Sequence, residues 1–148
     1  MRPGTRLGID WGAARIGVAA CDPAGTLAYP VETVPAGPGA VRRLQALVAE
    51  YEPIEIVLGL PRTLSGEESY AAATVRAAAA ELGAALPGVP LRLVDERLST
   101  AAASRQLGQA GRSARRQRGV IDQAAAVAIL ETALALERAT GEPPGEAA

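Results

Sequence analysis

Residues 5–21 form two apolar runs separated by a short polar interruption, and a third strand-like run follows before any helical spacing appears. Residues 5–11, 15–21 and 26–34 therefore read as three consecutive strands, joined by turns at 10–14 and 22–25. Leu7 and Ile9 fall on one side of the first strand, Gly8 and Asp10 on the other. Val41, Leu44, Leu47 and Val48 recur at helical spacing within 39–51. The run IEIVLGL, 54–60, is continuously apolar but for one glutamate and lies between Pro53 and Pro61, as an interior parallel strand would. Ser65, Gly66, Glu67 and Glu68 match a capping box, which predicts an alanine-rich helix to about residue 86, stopped by Pro87-Gly88. LRLVDE, 91–96, predicts a fifth strand. Ser99 is placed to cap a helix to about residue 107, residues 108–119 read as a polar, arginine-rich loop, and 120 to about 138 as a last alanine-rich helix.

The expected order is βββαβαβαα. A three-stranded meander followed by two strands reached through helical crossovers implies an α/β fold, a mixed five-stranded sheet flanked by helices on both faces. Residues 5–139 are expected to form one domain, 1–4 a disordered lead-in and 140–148 (TGEPPGEAA from residue 140) a disordered tail.

Composition narrows the chemistry. The 148 residues include no histidine and a single cysteine, Cys21, which excludes Ser-His-Asp and Cys-His catalysis, ordinary zinc sites and any intrachain disulfide. Cys21 reads as a buried structural thiol. All 15 basic residues are arginine, and Trp11, Tyr29, Tyr51 and Tyr70 are the whole aromatic complement, too few for an extended base-stacking platform. Catalysis, if present, must use carboxylates, hydroxyls, arginine or a bound metal. The net charge of −1 argues against a generally basic surface, but from Arg97 to Ile121 there are six arginines (97, 105, 112, 115, 116 and 118) and no acid. No apolar stretch reaches a membrane span and the amino terminus carries no signal-like apolar region, so a cytosolic location is expected.

Three acids occupy comparable places in this plan. Asp10 ends the first strand, Glu96 ends the fifth, and Asp122 opens the last helix. Parallel first and fifth strands put Asp10 and Glu96 on the sheet edge where ligand sites of open α/β sheets collect. Asp122, Ala125, Ala126, Ile129 and Ala133 share one helix face, and its small residues would let the helix lie close to the sheet, bringing Asp122 toward Asp10. Three converging carboxylates repel one another or take up protons unless a cation lies between them. Oxygen donors without histidine select hard ions, Mg²⁺ or Mn²⁺, and paired hard ions promote phosphodiester hydrolysis. Each acid taken alone also has a plainer reading: a turn residue, a salt-bridged strand end, or a helix-dipole partner. Asp95, next to Glu96, should point to the opposite face of the sheet.

GIDWGAARIGVA (8–19), GLPRTLSG (59–66), DERLST (95–100) and VIDQAAAVAIL (120–130) resemble, in order, the four motifs of the YqgF family, also called RuvX. These bacterial proteins have a ribonuclease H-like fold and are described as pre-16S rRNA nucleases and as Holliday-junction resolvase-like. The resemblance spans residue 5 to about 138. It implies catalytic and metal-holding roles for Asp10, Glu96 and Asp122, a site-flanking loop at Gly59-Leu60-Pro61, and a phosphate contact at Arg62. Arg97, Arg112, Arg115, Arg116 and Arg118 would face the nucleic acid. The family's first motif often carries Thr-Lys after the glycine; here Ala13-Ala14 stand there, followed by Arg15, so no phosphate contact is assigned to this turn.

The expectation is a metal-dependent nuclease, using Mg²⁺ or Mn²⁺, in 5′-end maturation of precursor 16S rRNA, acting in the cytoplasm as a monomer or weak homodimer. A resolvase of branched DNA and a non-catalytic rRNA-binding factor stand as rivals. An actin-like ATPase also uses an Asp-Gly strand turn but needs two such domains. Parallel cleavage of precursor rRNA and a four-way DNA junction, with and without Mn²⁺, separates the first three.

Overall fold

The computed structural model of the chain describes the backbone of residues 1–98 and 114–148 and the side chains of 1–98 and 120–148. Three strands lead, β1 (Arg6–Trp11), β2 (Arg15–Cys21) and β3 (Ala28–Pro35), then α1 (Ala40–Tyr51), β4 (Glu55–Leu60), α2 (Tyr70–Ala85) and β5 (Leu91–Asp95). A 3₁₀ turn at Glu96–Leu98 follows, then the long helix α3 (Ala114–Thr140) and a two-residue strand, β6 (Glu146–Ala147). They form a single sheet in the order β3-β2-β1-β4-β5-β6. β1 is antiparallel to β2 and parallel to β4, which is parallel to β5. The carboxyl ends of β1, β4 and β5 thus share one edge.

Strand alternation divides the core into two layers. Leu7, Ile9, Ile16, Val18, Ile56, Leu58 and Leu93 face α1 and α2, whose Leu44, Leu47, Val75 and Leu82 complete the larger cluster. On the other face Val57 and Val94 pack with Ala125, Ile129 and Ala133 of α3, while Ala19 and Cys21 pack with Ala126 and Leu130. The expected small-residue face of the last helix is the one that is buried.

Three glycines make that contact close. A Cβ added at Gly8 would lie 2.7 Å from Leu130 Cβ, and one at Gly59 would lie 2.6 Å from Ile129 Cδ1. At Gly17 it would lie 2.0 Å from the Asp122 carbonyl oxygen, well inside any real contact. The α3-facing side of the sheet is stripped of side chains along a line that ends beside Asp10.

At the opposite sheet edge a buried ion-pair network ties α3 down. Arg6 Nη2 donates to Glu137 Oε2 at 2.8 Å, and Arg2 bonds both Glu137 and, at 2.8 Å, Glu55. Arg6 also donates to the carbonyls of Gly4 and Arg2 at 2.8 and 2.7 Å, so its guanidinium is buried with partners. The first four residues, expected as a disordered lead-in, are held by these bonds and by Gly4 N–H to the Pro23 carbonyl at 2.8 Å.

Several expectations change. The sheet has six strands rather than five, because the tail expected to be disordered returns to pair antiparallel with β5. Arg92 fixes it there by donating to the carbonyls of Pro144 and Gly145, both at 2.7 Å. The capping box at 65–68 does not start α2. Thr63 and Ser65 share a hydroxyl bond of 2.9 Å, Glu67 N–H donates to Thr63 Oγ1, and the helix begins at Tyr70. The last helix begins at Ala114 rather than at 120, so 114–119, read as loop, is helical. The expected helix at 99–107 and Arg112 lie outside the described residues.

Candidate active site

β1 ends in a tight hairpin: Gly12 N–H donates to the Arg15 carbonyl at 3.0 Å, and Asp10 pairs across the strands with Gly17. Asp10 stands on the α3 side of the sheet, in phase with Gly8. It is only 4% exposed. Glu96 follows directly on β5 as the first residue of the 3₁₀ turn, with 6% exposure. Both acids line one cavity of about 220 Å³. Trp11, Ala13, Gly59 and Pro61 contribute to its lining from the strand ends, and Tyr70, Ala71, Thr74 and Val75 from the first two turns of α2.

Asp122 comes close but is differently engaged. Its backbone lies over Gly17, one strand from Asp10, an offset of about 4.8 Å. Its carboxylate accepts a bond from Arg15 Nε at 2.9 Å. Arg15 lies at the start of β2 and neutralises the acid locally. Among the described residues no group of three or more acids is gathered as a metal site. Two of the three expected carboxylates share the cavity, and the third is held beside it by arginine.

Two of the arginines expected to contact nucleic acid, Arg97 and Arg62, are set among acids. Arg97 bonds Asp95 through its backbone N–H at 2.9 Å and through Nη2 at 2.6 Å. This hydrogen-bonded partner holds the Asp95 carboxyl below its ordinary range. Arg62 is held more loosely, at 3.6 Å from Glu68, 3.7 Å from Glu146 and 3.9 Å from Asp95. Its Nε is buried without a hydrogen-bond acceptor. Arg115, Arg116 and Arg118 belong to the first turns of α3 by backbone. Asp95 is the last residue of β5, and Glu96 opens the 3₁₀ turn that follows.

Two site features had only faint sequence signals. Tyr70 opens α2 and lines the cavity, a position that the misplaced helix start concealed. The Arg15–Asp122 pair joins residues 107 positions apart, and only the seating of α3 on Gly17 brings them together.

A mixed sheet with β1 antiparallel to β2 and parallel to β4 and β5, flanked by helices, is the arrangement of ribonuclease H-like domains. The solved structure of RuvC from Thermus thermophilus in complex with Holliday junction substrate superposes with a TM-score of 0.59 at 18% identity, covering 95% of this chain and 99% of the other. That likeness establishes the fold. The family model described as "RuvX: Holliday junction resolvase" matches residues 4–136, and the chain belongs to that family. A Streptomyces coelicolor relative named "Putative pre-16S rRNA nuclease" is 59% identical over 148 residues, covering 99% of this chain and 89% of its own. Relatives bearing the same name in Cutibacterium acnes and Thermobifida fusca are 58% and 52% identical, covering 88% and 99% of this chain and 82% and 96% of theirs.

Proposed function

We propose that this protein is a metal-dependent nuclease that hydrolyses phosphodiester bonds in the 5′-end maturation of precursor 16S rRNA. The carrying observation is the pair of buried carboxylates, Asp10 and Glu96, on one cavity at the carboxyl edge of the sheet. The names of the close relatives supply the substrate.

The donor set fits a hard divalent ion: two buried carboxylates and no imidazole or thiolate near them. Asp10 and Glu96 would hold Mg²⁺ or Mn²⁺, with Asp122 able to join them on leaving Arg15. Such an ion would supply charge compensation for the phosphoryl oxygens and lower the pKa of an attacking water. The remaining work falls to the chain. Burial of Asp10 and Glu96 keeps bulk water from screening their charge. Pro61 and Gly59 form the wall against which a backbone phosphate can lie. Arg15, relieved of Asp122, and Arg62, held at 3.6–3.9 Å by three acids, would take that phosphate. The arginines at 97 and in 112–118 would position the flanking strand, which gives steep salt dependence and little base reading.

Among the described residues no helix is long and apolar enough to cross a membrane. The family description favours a second substrate, a four-way DNA junction, so both substrates belong in the same assay. Wild-type protein with Mn²⁺ should trim precursor rRNA, and Asp10→Asn should lose cleavage to background with an unchanged melting temperature. Equal cleavage by the purified variant would remove Asp10 from the mechanism. Cleavage of the junction alone would replace the substrate.

A further inference from the structure

The chain has only four aromatic residues, and two of them, Trp11 and Tyr70, line the cavity that holds Asp10 and Glu96. Their situations differ. Trp11 is half-buried against the main core, whereas Tyr70 is 89% exposed at the first position of α2. A single exposed aromatic on a protein surface needs no explanation. This one stands at the mouth of a concavity floored by two buried carboxylates. The helix holds its backbone in place: Tyr70's carbonyl accepts a bond from Thr74 Oγ1 at 3.1 Å, and Thr74 lines the same cavity.

We propose that Tyr70 is a stacking platform for one unpaired nucleobase beside the phosphate engaged at Asp10 and Glu96, so that the site selects single strands over paired ones. The inference rests on the nuclease reading of this cavity. A phosphodiester held at this floor through the divalent ion that the two acids would bind must leave its neighbouring base near the rim, where the phenol ring offers an apolar face. Stacking on an aromatic ring is tolerant of base identity, because every base has a π-face. A base within a duplex already has both faces covered and must be unstacked first, at a cost of a few kcal/mol. The selectivity is therefore for strandedness rather than sequence, which suits a chain with no extended aromatic platform.

The test uses the full chain in the Asp10→Asn background, so that no strand is cut during titration. A 12-nucleotide single-stranded RNA, the DNA of the same sequence and the fully paired RNA duplex are titrated by fluorescence anisotropy against the parent, Tyr70→Phe and Tyr70→Ala. Tyr70→Ala should weaken single-strand binding about 5- to 150-fold, equivalent to about 1–3 kcal/mol at 1.4 kcal/mol per tenfold, and leave duplex binding within about twofold. Tyr70→Phe should stay close to the parent, since the ring rather than the hydroxyl is used. Loss on both single strands assigns stacking common to RNA and DNA; loss on one assigns the source. Unchanged single-strand affinity in Tyr70→Ala, an equal loss on duplex, or a parent that binds no single strand overturns the proposal. Wild-type cleavage with Mn²⁺, run in parallel, is scored separately. Cleavage without the Tyr70 effect sinks this inference alone, and the Tyr70 effect without cleavage sinks the nuclease reading alone.

Discussion

Gly17→Ala adds one methyl group and no chemistry, yet it should disable the site. The new Cβ would lie 2.0 Å from the Asp122 carbonyl oxygen and 3.1 Å from Gln123 N, both backbone atoms that no rotamer change can move. Real Cβ contacts essentially never fall under 3.0 Å, so α3 must retreat by at least about 1 Å at Asp122. Overpacking of this kind costs about 1–3 kcal/mol. For a domain of this size that is a fall in melting temperature of roughly 3–10 °C. A 1 Å displacement of a catalytic group can cost about a hundredfold in rate, and here it moves Asp122 away from Asp10 and stretches its bond to Arg15 on β2. The assay is Mn²⁺-dependent cleavage of precursor rRNA with a thermal melt of the same sample. A variant that melts and cleaves like wild type would show that α3 does not rest on Gly17, and the route by which Asp122 reaches the site would fail with it.

The control is Gly83→Ala: its Cβ would meet only Leu91 Cδ1, at an ordinary 3.6 Å, within helix α2, so it should gain about 0.5–1 kcal/mol in a denaturant melt and leave cleavage unchanged. Glu137→Ala strands the buried Arg6 charge and should lose about 3 kcal/mol, measured by urea unfolding; a loss under about 1 kcal/mol would mean the network is not buried in solution. Burial pushes the Glu137 carboxyl up, but its bonds to Arg2 and the nearby charges of Arg6 and Arg2 outweigh that, and its folded-state pKa lies below 4.5. Its contribution is therefore complete above pH 4.5 and disappears as the pH falls through the lower folded value, so wild type should lose stability there more steeply than Glu137→Gln. Arg15→Gln frees Asp122 and removes a cation beside the acids, so Mn²⁺ binding by calorimetry should tighten about 1.5- to 5-fold; weaker binding would mean that the pair supports the ion site rather than competing with it.

Most of the sheet was legible because its strands carry their own signal. β1, β2 and β4 are unbroken or alternating apolar runs between turn residues, and Asp10 and Glu96 were found by asking which charges end such runs. β6 had no such signal. Its two residues lie in a Pro-, Gly- and Glu-rich tail and become a strand only because β5 offers an open edge and Arg92 offers two bonds. The start of α2 was missed because Thr63 engages the Ser65 hydroxyl and Arg76 the Glu68 carboxylate that a capping box would have used. The start of α3 was missed because 108–119 read as a polar, arginine-rich loop, although a helix tolerates one glycine, here Gly119, in its interior. Within the site, strand phase is a local property, and it places Asp10 with Gly8 on one side of β1. Ion pairing is not local. Arg62, expected to contact a phosphate, approaches Glu146 of the tail only in the folded chain, at 3.7 Å.

Anomalous diffraction from a crystal of the wild-type chain soaked in Mn²⁺ asks directly whether the two buried acids were brought together to hold an ion. The account predicts a peak in the cavity at ligating distance, about 2.1 Å, from both Asp10 and Glu96, and its absence from Asp10→Asn crystals. Manganese bound elsewhere, with that cavity empty in the wild type, would contradict it.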